Sequence, residues 1–461
     1  MVSLCRASVG ANTLPRVGAD DVGLLRANPR EGNPRRTASR MPGLGLLAPG
    51  PVKGERSSSR QRLTRRQFLK SAGLGLAGLP LATCQPFDTL LQMGRTAPSP
   101  TPDKRFASLD ERLQKAMADF KIPGMAVGLV RGNQLVYARG YGVRNLDSGE
   151  PMTERSVMSM ASVSKAFTGT AIMQLVEAGK VDIERPYVEY VPYFEMEDPR
   201  YKEITVRHLL AHNSGMPTLT DADFFSEFLD PWDDDGAAER YVRSFKTGVT
   251  LNQPPGGFLF MYSDYGYDIL ADLVHHVSGE LFEDYQRKHL LRPLGMNDST
   301  FLYKEIKPKD LVAAHVYDPD GKPVVWEHFP YARQHAPSSC LHCSVVDMSH
   351  WVLAHLNGGV YQNRRILKPE NQARLWEPLL QGEPGYGWGW GMKEAEGEKA
   401  VGMVGGQPGV QTTVYMWPRQ GLAVIMFCNI NGSLSLGAYS RDFSLFYFAE
   451  AFALQMLHGE L

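Results

Sequence analysis

Ser162 and Lys165 form the one Ser-x-x-Lys arrangement in this 461-residue chain. A serine hydroxyl is a weak nucleophile, so an acylating serine needs a base within hydrogen-bond reach. Side chains at i and i+3 share one face of a helix, and burial can lower the pKa of a lysine until it accepts a proton. The free N–H groups at a helix N-terminus would also stabilise a developing oxyanion. The alternative interpretation is an N-cap serine with the lysine in solvent.

The helix that must carry this pair is predicted from Ser162 to Ala178, where small and apolar residues alternate at helical spacing before Gly179. Apolar spacing also predicts a helix at 108–121 and strands at 125–130 and 135–141, joined by a hairpin turn at Gly132-Asn133. Further helices are predicted at 204–212, 265–277, 281–290, 345–356 and 442–457, and further strands at 386–393, 400–404, 410–417 and 421–428.

The order of these elements indicates the architecture. A helix and a hairpin come first, helices dominate 180–330, and strands and a last helix follow. We therefore predict a sheet completed by both ends of the chain, with a helical region inserted between them.

Six segments appear in one order over roughly residues 105–440 and together are far more specific than any one motif. They are Ser162–Phe167, Ile204–Gly215, Tyr262–Gly266, Pro293–Met296, Asn357–Gly359 and Gly405–Gly409. The combination resembles the serine hydrolases related to class C β-lactamases and low-molecular-mass penicillin-binding proteins. The resemblance implies an α+β fold, in which an antiparallel sheet flanked by helices adjoins an inserted, mainly helical domain at about 180–330, with the site at their seam.

In that family a Tyr-x-Asn motif places a tyrosine against the nucleophile and an amide against the substrate. Tyr262-Ser263-Asp264 occupies this place, so the resemblance makes Tyr262 the second proton-transfer candidate beside Lys165. Asp264 departs from the pattern because it has no NH₂ to donate, and its negative charge could hold Lys165 protonated.

A third family motif lies on a strand beside the pocket, as Lys-Thr-Gly or His-x-Gly, and here falls on Met403-Val404-Gly405. Methionine cannot supply the positive or donor side chain of that motif. The backbone N–H of Gly406 can still complete an oxyanion hole with that of Ser162. Recognition of a substrate carboxylate is thereby put in doubt, which favours a neutral ester or amide.

The sequence thus predicts a serine hydrolase whose catalytic residues are Ser162, Lys165 and Tyr262, with Asp264, Gly405 and Gly406 at the substrate and oxyanion side. No cofactor or metal is expected, and the substrate is a small molecule, peptide or ester. Esterase, D-Ala-type peptidase and β-lactamase-like activities stay open. The rival hypothesis is an exported, membrane-anchored pseudoenzyme or binding protein that keeps the fold.

Several other patterns suggest chemistry but are incomplete. His208 and His212 have a metal-ligand spacing, yet no Glu lies between them as in His-Glu-x-x-His, so we interpret them as helix and loop scaffold. Ser263 lacks the flanking glycines of a nucleophile elbow. A literal Tyr-x-Asn at 361–363 follows a surface-turn sequence.

Two further segments have competing interpretations. Cys340-Leu341-His342-Cys343 is a single Cys-x-x-Cys, which we interpret as a packed turn, with or without a local disulfide, rather than a zinc or redox element. The aromatic run 386–391 is interpreted first as a glycine-interrupted strand near the cleft and second as a ligand-stacking wall.

The N-terminal part is basic while the remainder is acidic, although the formal net charge of the chain is only -1. An acidic globular region carries no electrostatic footprint for a phosphate backbone, so no nucleic-acid partner is expected. Residues 1–63 are Arg-, Pro- and Gly-rich, which predicts disorder or sequence upstream of a true start near Met41.

Thr64 to Lys70 resembles the bacterial twin-arginine export motif, and a short apolar run leads from it to Leu81-Ala82-Thr83-Cys84, a lipoprotein-like cleavage box. We therefore predict a signal at 64–84, lipid attachment at Cys84, a linker at 85–104 and a hydrolase domain at 105–461. The protein would be exported across the cytoplasmic membrane and would contact a membrane only through that anchor.

Overall fold

The computed structural model of the chain describes residues 104–219, 226–229, 231–380, 385–395, 397–431 and 445–458. The predicted signal at 64–84, Cys84 and the linker, apart from Lys104, lie outside the described residues. No helix within the described ranges is long and apolar enough to cross a bilayer.

The longer elements bracket a middle region of short helices and connections. The α-helices are α1 (Ala107–Phe120), α2 (Ser164–Glu177), α3 (Val206–Leu210), α4 (Ala237–Ser244), α5 (Asp264–Asp268), α6 (Leu270–Ser278), α7 (Phe282–Gln286), α8 (Ala336–Ser339), α9 (Val345–Leu356), α10 (Pro369–Arg374) and α11 (Leu445–Leu457). The strands are β1 (Gly124–Arg131), β2 (Gln134–Gly142), β3 (Met158–Ser159), β4 (His315–Tyr317), β5 (Pro323–Val325), β6 (His342–Cys343), β7 (Val360–Tyr361), β8 (Arg364–Arg365), β9 (Gly385–Gly387), β10 (Trp390–Ala395), β11 (Glu398–Gln407), β12 (Val410–Trp417) and β13 (Leu422–Cys428).

The main sheet has seven antiparallel strands in the order β2-β1-β13-β12-β11-β10-β9. The sheet joins the two ends of the fold, because β1 pairs with β13 from Met125 opposite Cys428 to Arg131 opposite Leu422. This register confirms the predicted sheet built from both chain ends. The middle of the chain is thereby left to pack against one face of the sheet.

Alternation along β13 separates the two faces. Ala423, Ile425 and Phe427 belong to the large core shared with α2 and α9, whereas Val424 and Met426 belong to a smaller core shared with α1 and α11. Every side chain of β13 is buried, as expected for a strand covered on both faces. The sheet is therefore sandwiched between helices, and α2, which follows Ser162, lies on the large-core side.

The prediction of one continuous strand at 386–393 is wrong, since this segment forms two strands, β9 and β10, that pair as a hairpin. The turn between them contains Trp388 and Gly389, with φ of 56° and 82°. A side chain at Gly389 would lie 2.1 Å from the carbonyl oxygen of Lys165. The glycines thus mark a tight turn pressed against α2, which periodicity alone does not reveal.

The middle region is less regular than predicted. The helix expected at 265–277 is divided into α5 and α6 at Ile269, and that expected at 204–212 shortens to α3. A π-helical turn, Arg287–Leu291, follows α7, and the small hairpin of β4 and β5 interrupts the helical character before residue 330. These short elements position loops rather than forming a bundle.

Candidate active site

Ser162 lies in the 3-10 turn Ala161–Val163 that leads directly into α2. The preceding Ala161 has φ of 46°, a left-handed conformation that costs a non-glycine residue on the order of 1 kcal/mol. The turn is held from two sides, because Met160 N–H donates to the carbonyl of Leu341 at 2.7 Å and Thr412 Oγ1 donates to the carbonyl of Met160 at 2.8 Å. The backbone ahead of the serine is therefore fixed before any substrate binds.

Lys165 is completely buried one turn further along. Its Nζ donates to Asp264 Oδ1 at 2.5 Å, to the carbonyl oxygen of Ser338 at 3.1 Å and to Ser162 Oγ at 3.3 Å. An ammonium group has three N–H donors, and these three acceptors satisfy all of them. The geometry is that of a charged lysine held at the base of the site.

The charge state of Lys165 follows from two opposing effects. Burial lowers the pKa of Lys165, but the negative charge of Asp264, followed by the influence of Tyr262, outweighs burial and raises the pKa above its ordinary value. The resting site therefore contains an ammonium group rather than a neutral amine, as the departure at Asp264 suggests.

Tyr262, which lies two residues before α5, contacts the serine. Its hydroxyl lies 2.9 Å from Ser162 Oγ, and its ring centre lies 4.9 Å from Lys165 Nζ. Burial raises the pKa of Tyr262, the positive charge of Lys165 lowers it and Asp264 raises it, so the net pKa is above the ordinary value. Ser162, Lys165 and Tyr262 thus meet at one point, although 100 residues separate the serine from the tyrosine in the chain.

Asp264 begins α5, and Ser263 caps that helix by accepting the N–H of Gly266 at 3.3 Å. The helix start holds the Asp264 carboxylate among buried groups, with only 4% of the residue exposed. Ser263 is consequently a capping residue here, and it also donates to the carbonyl of Pro217 at 2.7 Å.

His212 has a positioning contact that sequence reasoning missed. Its carbonyl accepts the N–H of Met261 at 2.7 Å, and its Nδ1 accepts the N–H of Ser263 at 3.1 Å, so both neighbours of Tyr262 are attached to His212. Burial and then the charge of Lys165 hold the pKa of His212 well below its ordinary value, which keeps the ring neutral. The only available signal was its proximity to Asn213-Ser214-Gly215 in the motif.

The β11 strand borders the other side of Ser162. A side chain at Gly405 would lie 2.4 Å from the carbonyl oxygen of Met160 and 3.1 Å from Ala161 Cβ, so only glycine allows this approach. Gly406 follows on the same strand, one residue beyond the contact. The predicted oxyanion residues are therefore next to the serine turn.

Met403 contributes no charge to this side of the site. It is 6% exposed and packs in the large apolar core, opposite Val414 on β12. Val404, half-buried, is equally apolar. The cation or donor that the family motif would place on this strand is absent from both positions.

A second buried charge cluster adjoins the first. His335 contacts Asp268 through Nδ1 at 2.7 Å and Glu227 through Nε2. Burial lowers the pKa of His335, but Asp268 and Glu227 outweigh it and raise the pKa to about 10. His335 immediately precedes α8, and Ser338 lies on α8. The cluster therefore holds in place the short helix whose Ser338 carbonyl accepts a hydrogen bond from Lys165. Sequence reasoning did not find it.

The remaining candidates lie elsewhere. Tyr361 belongs to the β7–β8 hairpin, where it stacks on His350 with 4.7 Å between ring centres, and does not join the serine. Among the described residues, no group of three or more His, Cys, Asp and Glu side chains is arranged to hold a metal ion. Cys340 and Cys343 are buried free thiols.

The aromatic run forms no open wall. Trp388 and Trp390 are each 1% exposed, and Trp390 stacks on Trp351 with 4.9 Å between ring centres. These rings pack behind α2 rather than lining a cleft, so the second interpretation of this segment, a ligand-stacking surface, is wrong.

Known proteins resemble this chain in sequence. The sequence model described as Beta-lactamase matches residues 109–445. Protein flp of Staphylococcus aureus strain MW2 is 26% identical over 327 residues, which cover 70% of this chain and 63% of that protein. Penicillin-binding protein 4 of Amycolatopsis lactamdurans is 26% identical over 336 residues, which cover 70% of this chain and 85% of that protein. The chain thus spans less than two thirds of the staphylococcal relative.

Solved structures resemble it in fold. The octameric penicillin-binding protein homologue from Pyrococcus abyssi superposes with a TM-score of 0.65 at 28% identity, over 76% of this chain and 77% of that chain. The penicillin-binding protein from Bacillus halodurans gives a TM-score of 0.60 at 22% identity, over 75% of this chain and 99% of that chain.

Proposed function

The chain belongs to the Beta-lactamase family, whose members are serine hydrolases of the β-lactamase and penicillin-binding-protein type, and from this premise we propose that it hydrolyses a neutral ester or amide through an acyl-enzyme on Ser162. The observation that carries the proposal is the meeting of Ser162 Oγ with Tyr262 at 2.9 Å and with Lys165 at 3.3 Å. A nucleophile with two proton-transfer partners in hydrogen-bond reach is what acyl transfer requires.

The first step is attack of Ser162 Oγ on the substrate carbonyl carbon. At rest both partners hold their protons, since Lys165 is an ammonium ion and the pKa of Tyr262 is raised. The reactive form is the one in which the Tyr262–Lys165 pair has released one proton to water, a titration that belongs to the pair rather than to either residue. In that form Tyr262 is a phenolate stabilised by the adjacent ammonium of Lys165, and it accepts the serine proton. The backbone N–H groups of Ser162 and Gly406 stabilise the oxyanion.

The second step releases the product. As the tetrahedral intermediate collapses, the bond to the leaving group breaks, and the pair returns the proton to the leaving oxygen or nitrogen. Water then attacks the acyl carbon, gives its proton to the same pair, and the acid leaves as Ser162 recovers its hydrogen. The cycle consumes one water and needs no group beyond the chain's own residues and the substrate.

The preference for a neutral substrate rests on the lack of a free counter-charge at the site. Met403 and Val404 supply no cation to pair with a substrate carboxylate, and the ammonium of Lys165 is already paired with Asp264. Burying a carboxylate without a partner is costly, so an anionic substrate is disfavoured. β-Lactams and D-Ala-D-Ala peptides both carry that carboxylate.

The full chain can be tested by intact mass after incubation with a fluorophosphonate and, separately, with a fluorescent penicillin. We expect fluorophosphonate to label the wild type and the control Ser148→Ala, which changes an exposed turn serine, but not Ser162→Ala. Penicillin labelling would instead support a cell-wall or β-lactamase role. No Ser162-dependent adduct with either probe would favour the rival, a pseudoenzyme in which Asp264 fixes Lys165 as an ammonium ion.

Export and anchoring are proposed on the basis of sequence alone. Arg65-Arg66 and the Leu81 to Cys84 segment support transport by a twin-arginine route and lipid attachment at Cys84. Replacing both arginines by lysine should leave the protein in the cytoplasmic fraction, and Cys84→Ala should move exported protein from the membrane to the soluble fraction. Unchanged fractionation of both variants would contradict the proposal.

A further inference from the structure

Two large apolar side chains stand in solvent on the segment that leads to Tyr262. Phe258 is 86% exposed and Leu259 is 51% exposed. Within the described ranges, the other exposed large hydrophobic residues are Leu146 and Leu229, at 39% and 56%. Scattered single residues of this kind are ordinary, but an adjacent Phe-Leu pair at a site border indicates a binding surface.

The pair, which we call the apolar tip, is attached to the site at both ends. Gly256 N–H donates to the carbonyl of Asn213 at 3.0 Å, and Met261 N–H donates to the carbonyl of His212 at 2.7 Å. Tyr262 then contacts Ser162. Because an extended residue spans at most about 3.6 Å, the Phe258 Cα lies within about 14 Å of the Tyr262 Cα.

The conformation of the tip is fixed by its own hydrogen bonds. Gln253 Nε2 donates to the carbonyl of Leu259 at 2.8 Å, and Gly257 N–H donates to the carbonyl of Pro254 at 3.0 Å. Gly256 has φ of 74°, and a side chain there would lie 2.9 Å from His208 Nε2. The turn thus presents the two side chains in a defined place instead of letting them fold back onto the core.

The β11 border of the site supplies no charge that would oppose an apolar ligand. Met403 is buried in the core and Val404 is half-buried, just before Gly405, which abuts the turn of Ser162. Phe258 and Leu259 are therefore the apolar side chains that stand exposed on the segment leading to the site. Covering them with a hydrocarbon chain removes apolar surface from water, which is favourable.

We propose that Phe258 and Leu259 bind the acyl chain of the substrate, so that the protein selects esters of hydrophobic carboxylic acids; this inference rests on the proposed function at Ser162. The carbonyl of such an ester lies at Ser162 Oγ while its chain covers the tip. Short acyl groups reach the serine without this contact and gain nothing from it.

The test compares p-nitrophenyl octanoate with p-nitrophenyl acetate, both below the concentration at which they aggregate. The measured quantity is the ratio of the two kcat/KM values for the full chain. In the double variant Phe258→Ser/Leu259→Ser we expect this ratio to fall about tenfold, since single methylene contacts already change such ratios by about that factor. The conservative variant Phe258→Leu should keep most of the ratio.

Leu146→Ser is the matched control, because Leu146 is also exposed but lies in the turn after β2; it should leave the ratio unchanged. The inference would be overturned if the wild type preferred the acetate ester, or if the double variant kept the wild-type ratio. In either case, hydrolysis of the acetate ester would still support the proposed function. Absence of hydrolysis and of Ser162 labelling would instead remove the proposed function itself.

A membrane surface is the other occupant that the test must separate. Binding to phosphatidylcholine and phosphatidylglycerol vesicles is measured by sedimentation, with full chains that carry Cys84→Ala. The chain with Phe258 and Leu259 intact and the chain with the double substitution should bind these vesicles equally. Loss of vesicle binding with an unchanged ester ratio would assign the tip to lipid and overturn the inference.

Discussion

Lys165 Nζ and Asp264 Oδ1 are 2.5 Å apart inside the fold, where their side chains are 0% and 6% exposed. A buried ion pair of this kind costs desolvation on both sides, and removing one partner leaves an uncompensated charge. The family pattern has an amide at the second position, so the pair is a particular feature of this chain. Burial alone would lower the pKa of Lys165, and Asp264, together with Tyr262, raises it above its ordinary value.

Asp264→Asn should release this constraint. Since the negative charge of Asp264 raises the pKa of Lys165, the amide should lower that pKa, and a lower pKa means that Lys165 loses its proton at lower pH. We expect the acid limb of the kcat/KM profile to move to lower pH by about one unit or more. An unmoved limb would mean that Lys165 does not set it.

Tyr262→Phe removes the hydroxyl that contacts Ser162 while keeping the ring in its packing site. Loss of a positioned proton-transfer group should lower kcat about 10²- to 10⁴-fold. The matched control is Tyr361→Phe, which alters the literal Tyr-x-Asn at the β7–β8 hairpin and should keep wild-type kcat. Equal losses in the two variants would contradict the assignment of Tyr262.

His212→Gly tests the attachment of the residues flanking Tyr262. Glycine adopts the left-handed backbone at this position, where φ is 55°, but it has no side-chain acceptor for the Ser263 N–H. We expect kcat to fall about tenfold with KM changed less than about twofold, since the proton-transfer group loses its alignment. His276→Gly, at a partly exposed position on α6, is the control. A change confined to KM would assign His212 to substrate binding.

Much of this arrangement could be predicted from the sequence, because it is encoded in local patterns. Ser-x-x-Lys spacing on a helix and the order of helix, hairpin and late strands are properties of neighbouring residues. The place of Tyr262, 100 residues from Ser162, follows from the resemblance to the family instead, and the structure brings Ser162, Lys165 and Tyr262 together. The cluster around His335 could not be predicted in this way. Asp268 lies 67 residues before His335, and Glu227 lies 108 residues before it, and nothing in periodicity says which buried polar group finds which partner.

The His335 cluster makes stability depend on pH. The folded pKa of His335 is about 10 and its ordinary value is 6.5, so the folded state holds the proton more tightly. The resulting stabilisation is complete below the unfolded pKa and is lost as pH rises through about 10. The free energy of unfolding, measured by urea at pH 7 and at pH 10, should be lower at pH 10 in the wild type. This difference between the two pH values should be smaller in His335→Gln than in the wild type. An equal decline in both proteins would contradict the charge assignment.

Gly389 in the β9–β10 turn can be compared with Gly397, since both have a left-handed backbone but only Gly389 is pressed against another segment. Gly389 and Gly397 have φ of 82° and 77°, but a side chain at Gly389 would lie 2.1 Å from the carbonyl oxygen of Lys165, whereas none of the described atoms lies within 4 Å of one at Gly397. Both alanine variants incur the cost of a left-handed backbone, about 1 kcal/mol. Gly389→Ala must also displace α2 from the turn, and with it the Ser162–Lys165 pair. We therefore expect Gly389→Ala to lower both the free energy of unfolding and kcat well below the Gly397→Ala values, and equal values for the two would show that the turn does not support the site.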